Sequence, residues 1–173
     1  GVSANGTSGD FSVGVFIGGG AGSTTQIYYN SVSMSGTQTG GSDKSYALAI
    51  GGSNPTVDIR NNALSNTQSN GSGNNSALAL GYSTFTNLTL NYNDYFTTTG
   101  ATYFLGATGS ISAPTNVSAL PLVAGQDANS ISTNPQFNST TNLQPQTGSP
   151  LLLAGTPIGG ITTDILGATR NVT

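Results

Sequence analysis

The amino-acid sequence predicts an all-β fold, a right-handed parallel β-helix (β-solenoid) of about four coils with a C-terminal cap. Three observations predict it: a strand-like phrase that recurs about every thirty residues, a second phrase between its copies, and the end of this repeat pattern after residue 110. We expect residues 1–110 to form coils with a period near 31 residues. Residues 111–173 then supply the last coil and a capping tail of the same domain.

The first phrase reads SVGVFIGG at 12–19, SYALAIGG at 45–52 and SALALGY at 76–82. Apolar residues alternate with small ones and end in Gly, which is typical of a strand with one buried face followed by a turn. TYFLGA at 102–107 continues the same columns with Tyr103, Leu105 and Gly106. The predicted interior is made of the aliphatic side chains of these phrases, namely Val15, Ile17, Leu48, Ile50, Leu78, Leu80 and Leu105.

The second phrase reads QIYYNSVSM at 26–34, VDIRNNALS at 57–65 and LTLNYNDYF at 88–96, so that Ser31, Asn62 and Asn93 recur every 31 residues. In stacked coils, copies of a strand pair in parallel about 4.8 Å apart, and asparagines at one position can bond to each other through their side chains. The alternative is that they are ordinary turn residues, because Asn tolerates the left-handed backbone. A propeller blade needs about four strands, whereas this unit offers two clear strands and a weak third.

Composition limits the partners and the location. Charged residues make up 5% of the chain, with three Lys and Arg, no His, no Cys and a net charge of -3. No basic face is available for nucleic acid or for an anionic membrane, and no apolar stretch is long enough to span a bilayer. A Cys-free, Lys-poor chain rich in Ser, Thr, Asn and Gly is typical of exported bacterial surface proteins, so we expect an extracellular or cell-surface location.

The C-terminal text reads NPQFNSTTNLQPQTGSPLLLAGT and then TTDILGATR. It resembles the closing segment of secreted and surface proteins of the pectate-lyase-like superfamily of right-handed parallel β-helices. The matching positions are Asn134, Pro135 and Phe137, then Gly148, Ser149, Pro150 and Gly155, then Asp164, Gly167 and Arg170. Leu153 stands where that pattern usually carries Asp. The resemblance implies a β-helix closed by this tail, and covers about the last forty residues.

The two ends of the predicted solenoid differ. The last coil exposes an apolar end and unpaired strand edges, and we expect SPLLLAG at 149–155 to lie across it. The N-terminal text enters a repeat directly, without a cap-like helix. This predicts that the first coil contacts preceding coils of a larger protein or identical subunits. Copies could stack head to tail into a filament if the tail folds back along the side.

The pectate-lyase-like superfamily includes lyases and hydrolases that use clustered carboxylates, so catalysis must be considered. Asp10 and Asp43 precede strands of the same phrase and lie beside Lys44, but such positions are typical of turn residues. Without His or Cys there is no imidazole base, Ser-His-Asp triad or thiol nucleophile. NYND at 91–94 and DAN at 127–129 each bring one carboxylate, which predicts turns rather than a Ca²⁺ site. We expect no catalysis, no cofactor and no metal.

Binding remains as an alternative function. Tyr28, Tyr82 and Tyr92 could stack on a glycan if they form a solvent-facing row, although alternation along strands places about half of such residues inside. Ice binding needs the same Thr in each coil, and TTT at 97–99 has MSG at 34–36 and SNT at 65–67 as its counterparts. The sequence therefore favours a non-catalytic structural or adhesive surface module over a glycan-binding or glycan-cleaving β-helix.

Overall fold

The computed structural model describes residues 11–38, 43–70 and 72–170, and within these ranges the chain is all-β, with no helix that could cross a membrane. The strands are β1 (Ser12–Gly19), β2 (Thr24–Tyr28), β3 (Ser31–Met34), β4 (Ser45–Gly52), β5 (Thr56–Arg60), β6 (Ala63–Asn66), β7 (Asn75–Leu80), β8 (Leu88–Asn91), β9 (Asp94–Thr97), β10 (Tyr103–Thr108) and β11 (Thr115–Val117).

The chain visits three sheets in turn. Sheet A contains β1, β4, β7, β10 and β11 in that order, sheet B contains β2, β5 and β8, and sheet C contains β3, β6 and β9. Neighbouring strands pair in parallel, except that β10 and β11 are antiparallel. A repeat is therefore three strands, one from each sheet, and each strand lies against its counterpart in the next repeat.

The second phrase contains two strands rather than one. In each repeat it bends at a residue with a left-handed backbone: Tyr29 (φ 56°), Asn61 (φ 59°) and Tyr92 (φ 55°). The bend separates β2 from β3, β5 from β6, and β8 from β9. The weak third strand of the predicted unit is thus a regular element of each repeat.

The fourth copy of the first phrase is aligned differently from the prediction. Gly106 pairs with Leu78, whereas the repeat pattern predicts Gly81 as its counterpart. The reason lies in packing, because a Cβ atom on Gly106 would stand 2.9 Å from a methyl group of Leu122. The small residue at 106 makes room for Leu122, which enters the core there.

One apolar core lies between the three sheets. Four of the predicted interior side chains are only 1% exposed: Leu48, Ile50, Leu78 and Leu80. Leu105 is partly buried against the same core. The prediction that Val15 is interior is wrong, since Val15 is 40% exposed, and Ile17 is only partly buried. Both belong to the first repeat, where no described residue lies over the end of the apolar column.

Residues 115–131 cover the opposite end of the core. Val117, Leu120, Leu122 and Val123 pack against the core there, and β11 pairs with β10. Residues 126–131 hydrogen-bond along the outer edges of β8 and β9: for example, the Asp127 amide donates to the Leu90 carbonyl. The last repeat is therefore closed.

The prediction that SPLLLAG lies across the end of the core is wrong. Residues 149–153 form turns, with Leu152 51% and Leu153 100% exposed. Leu153 has a left-handed backbone (φ 65°), which is incompatible with a strand. The tail, which we define as residues 132–170, runs back along the side of the repeats instead.

A buried polar column lies where sheet C meets sheet A. Ser12 pairs with Ser45, and Ser45 pairs with Asn75, all three with no exposed surface. The Ser45 hydroxyl donates to Oδ1 of Asn75, and the Asn66 amide donates to the Ser45 hydroxyl at 2.9 Å. Polar residues at these corners therefore belong to the packed interior.

Candidate functional site

An asparagine ladder, formed by Asn30, Asn62 and Asn93, follows the bend between sheets B and C. The amide of Asn30 donates to Oδ1 of Asn62, and the amide of Asn62 donates to Oδ1 of Asn93, both at 3.1 Å. The backbone N–H groups of Asn30 and Asn62 donate to the same two oxygens at 3.0 Å. Asn62 and Asn93 are 2% and 1% exposed, so these bonds satisfy polar groups that are buried.

The first member of this ladder is Asn30, and the prediction of Ser31 is wrong. Ser31 pairs with Ala63 and is exposed. A strict spacing of 31 residues misplaces this position because the step from the first repeat to the second is 32 residues, from Ile27 to Ile59.

Tyr95, Asp127 and Ser130 end the ladder at the closed end of the molecule. The amide of Asn93 donates to the Tyr95 hydroxyl at 2.9 Å, and that hydroxyl donates to Oδ1 of Asp127 at 3.0 Å. The Ser130 hydroxyl donates to the same carboxylate oxygen at 2.8 Å and accepts the backbone N–H of Asn93. Burial, together with the Asp127 carboxylate, raises the pKa of Tyr95, so this phenol remains a hydrogen-bond donor.

The tail binds to the same bends from outside. The backbone N–H of Thr156 donates a hydrogen bond to Oδ1 of Asn61, and the side-chain amide of Asn61 donates to the Thr156 carbonyl, both at 2.8 Å. The Tyr29 hydroxyl donates to this carbonyl at 2.7 Å, and the guanidinium of Arg170 lies 3.9 Å from the centre of the Tyr29 ring. The left-handed residues of the first two bends, Tyr29 and Asn61, therefore present side chains that hold the tail, in addition to turning the chain.

The three tyrosines that are candidates for a glycan-stacking row do not share one face. Tyr28 lies on β2, Tyr92 lies in the third bend, and Tyr82 follows β7 in sheet A. Tyr82 is only 5% exposed and packs against Phe85, with 5.5 Å between ring centroids. This burial raises the pKa of Tyr82 to about 12 and removes its ring from solvent.

Tyr28 instead belongs to a charged cluster on sheet B. Arg60 binds the Asp58 carboxylate with two hydrogen bonds of 2.7 and 2.6 Å, and the Tyr28 hydroxyl donates to the same carboxylate at 2.6 Å. Burial alone would raise the pKa of Asp58, but the hydrogen bonds from Arg60 and Tyr28 outweigh it and lower the pKa. The arrangement is a satisfied surface ion pair.

Asp94 is a buried acidic residue with one carboxyl oxygen that lacks a hydrogen-bond partner. It opens β9, is 2% exposed, and accepts the Thr133 amide on Oδ1 at 2.9 Å, while its Oδ2 atom has no hydrogen-bond partner. Burial raises its pKa to about 7, against the opposing effect of the Thr133 hydrogen bond. Asp94 also lines a cavity of about 50 Å³ between the third bend and the tail.

Of the carboxylate pair considered from the sequence, Asp10 and Asp43, the structure describes Asp43. Asp10 lies outside the described residues. Asp43 is 9% exposed, and its backbone carbonyl accepts the side-chain amide of Asn70. Lys44 points toward the Phe11 ring, with Nζ 5.8 Å from its centre.

Among the described residues, nothing pairs with the outer side of the first repeat, which we call the open end. β1, β2 and β3 are each the edge strand of their sheet. A cavity of about 330 Å³ enters the core between them and is lined by Val15, Ile17, Gln26, Ile27, Asn30, Ser31, Val32, Leu48 and Leu64. None of these side chains is ionisable, so the cavity presents an uncharged, mainly aliphatic surface.

In the described part of the chain, no three acidic, His or Cys side chains come together as a possible metal centre. In NYND, Oδ1 of Asn91 accepts the amides of Tyr92 and Asn129, which joins the third bend to the DAN turn. Comparison with known proteins finds no matching family model, no matching curated protein and no matching solved structure.

Proposed function

We propose that this chain is a non-catalytic structural module of an extracellular surface, built as a right-handed parallel β-helix of about four coils, and that its open end binds a second copy. Three strands that recur in a fixed order across three parallel sheets support the β-helix, since parallel crossovers are overwhelmingly right-handed. The composition supports an exported location.

The proposal rests on the difference between the two ends of the core. At one end, residues 115–131 fill the core and hydrogen-bond to the last strands. At the other, three edge strands surround an aliphatic cavity of about 330 Å³. Unpaired strand edges are templates for pairing, and natural proteins usually protect them with charge, which the lining residues here do not supply.

A second copy fits this surface because the aliphatic side chains of the repeats stack on each other along the core. The first repeat stacks like on like against the second, with Val15 on Leu48 and Ile17 on Ile50. The open end of another copy offers the same aliphatic side chains and edge strands. Since the opposite end is closed, the contact joins open end to open end and forms a dimer. A head-to-tail filament would need two open ends.

The positions of Asp58 and Asp127 support a non-catalytic role. Asp58 is held by Arg60 and Tyr28, and Asp127 is held by Tyr95, Ser130 and the Leu122 amide. Each carboxylate therefore stabilises a local feature of the fold. The separation of Tyr28, Tyr82 and Tyr92 leads us to favour this role over glycan binding.

Light scattering coupled to size-exclusion chromatography tests the proposal. We expect the chain to be dimeric, and Val15→Lys to be monomeric, because a charge at the open end must be desolvated in the dimer. Val15 is 40% exposed, so the variant should keep the circular dichroism of the wild type. Leu153→Lys, at a fully exposed position of the tail, is the control. A monomeric wild type, or equal effects of both variants, would contradict the proposal.

A further inference from the structure

We infer that Asp94 is a proton-operated latch, which holds the tail against the third bend when its carboxyl group is protonated and loosens the tail when it ionises. Asp94 stands on β9, and the groups that face it across the cavity come from the tail and from the segment that leads into it. The inference concerns the attachment of the tail and is independent of the open end.

The two oxygens of the Asp94 carboxyl group differ in their hydrogen bonding. Oδ1 accepts a hydrogen bond of 2.9 Å from the Thr133 amide, and residue 94 also forms a parallel bridge with Ile131. Oδ2 is buried without a hydrogen-bond partner. A buried carboxylate that keeps only one hydrogen bond is unfavourable, whereas the neutral acid is tolerated.

Among the described residues, no positively charged side chain lines the cavity around Asp94. The bends contribute Asn61, Asn62, Tyr92 and Asn93 to the cavity wall, and the facing segments contribute Asn129, Ile131, Leu151, Ala154 and Gly155. Tyr92 is the only titratable neighbour among them. The Asp127 carboxylate, in the same facing segment as Ile131, is bound by Tyr95 and Ser130. Asp164 and Arg170 of the tail line the adjacent groove of about 510 Å³ rather than this cavity.

The docked tail is therefore more stable when Asp94 is protonated than when it is ionised. Burial raises the pKa of Asp94 to about 7 from an ordinary value near 3.8. Once ionised, the carboxylate requires hydration, and the cavity of about 50 Å³ is large enough to admit water. Full hydration of the carboxylate also requires water on the side where the apolar side chains of Leu151 and Ala154 line the cavity, and this separates the tail from Asp94. The next tail residues, which hold Asn61 through Thr156, lose that support.

The sign and range of the effect follow from linkage. The docked state binds the proton more tightly than the released state, so docking is strongest below the ordinary pKa of Asp and weakens as the pH rises toward the docked pKa. Release becomes up to about tenfold more favourable per pH unit between roughly pH 4 and pH 7, and the effect levels off above that range.

Hydrogen exchange of the Thr156 amide, which donates to Asn61, measures docking directly. After correction for intrinsic exchange, we expect its protection to fall at least about tenfold between pH 4.5 and pH 7 in the wild type. Asp94→Asn keeps an oxygen for the Thr133 amide but cannot ionise. In this variant, the protection of the Thr156 amide should not depend on pH. Asp58→Asn, on sheet B, should retain the wild-type dependence.

A wild-type protection that is constant over this range would overturn the inference, and so would an Asp94→Asn variant that keeps the full decrease. Carboxyl NMR titration of the wild type supplies a measurement that needs no variant. The latch requires the Asp94 carboxyl to titrate well above the range of ordinary aspartates, and a midpoint near 4 would exclude it.

Discussion

The side-chain amide of Asn62 donates a hydrogen bond to the side-chain oxygen of Asn93, which lies 31 residues further along the chain. The same amide reaches the backbone carbonyl of Ile27 in the preceding repeat at 2.8 Å. One buried side chain thus connects three consecutive repeats. Since repeat proteins are stabilised largely by contacts between neighbours, we expect these repeats to unfold together.

Removing the middle of the ladder should destabilise the fold strongly. We expect Asn62→Ala to lower the free energy of unfolding by roughly 2–4 kcal/mol, because it leaves several buried backbone groups without partners. Asn30→Ala should cost about 1 kcal/mol, since Asn30 is exposed. Urea unfolding followed by circular dichroism measures both. Ser31→Ala is the control and should change stability by less than about 0.5 kcal/mol. Equal stability of the Asn62 and Ser31 variants would refute the structural role of the ladder.

A close backbone approach at Gly52 provides a second test. Gly52 has φ 122°, and a Cβ atom there would lie 1.5 Å from the Gly19 carbonyl oxygen. Gly52→Ala must therefore displace the end of β1 from β4, and we expect a loss of about 2 kcal/mol or more. Gly20→Ala adds a methyl group with no atom within 4 Å and should be nearly neutral. Thermal unfolding compares the two variants, and similar midpoints would contradict this pairing.

Asp94 should also affect global stability. Its pKa is raised to about 7 in the folded state, so its favourable contribution is complete below the ordinary pKa and is lost as the pH rises to about 7. We expect Asp94→Asn to be more stable than the wild type at pH 8, by on the order of 2–4 kcal/mol, and to show no advantage near pH 4. Denaturant titrations at the two pH values measure this difference. An Asn variant that is less stable at pH 8 would contradict it.

Asp58 should show the opposite pH dependence. Its pKa is lowered in the folded state by the hydrogen bonds from Arg60 and Tyr28 against the cost of burial. Its contribution is therefore present above the ordinary pKa of Asp and is lost as the pH falls below it. Because the pair is partly exposed, we expect Asp58→Asn to cost no more than about 1 kcal/mol at pH 7. Stability curves of both proteins between pH 2 and pH 7 should converge at the acidic end, and a constant gap would contradict the assignment.

The sequence predicts those parts of the fold that repeat with a constant step. The first phrase aligns Val15, Leu48 and Leu78, and these residues are paired with each other in sheet A, because aliphatic side chains of one column pack on each other. Spacing alone also identifies Asn62 and Asn93 as members of one column. Asn30 was missed because the first step is one residue longer, and a bend absorbs an extra residue without disturbing the apolar pattern.

The path of the tail could not be predicted from such patterns. Its main attachment joins Asn61 and Thr156, 95 residues apart, through an asparagine side chain and the peptide groups of a turn. Any of the many asparagines in this chain could make such a bond, so periodicity gives no signal for it. The burial of Asp94 is similarly a consequence of where the tail lies, and the letters around residue 94 predict a turn.

The most direct test of the central claim is the distance between spin labels in the assembled protein. The chain contains no cysteine, so Thr24→Cys on edge strand β2 and Thr140→Cys on the tail each provide one labelling site. In an end-to-end dimer, the labels at residue 24 should lie within about 30 Å of each other, because paired strands are about 5 Å apart. The labels at residue 140 should be much further apart. Absence of any intermolecular distance at residue 24, or a shorter distance at residue 140, would contradict association through the open end.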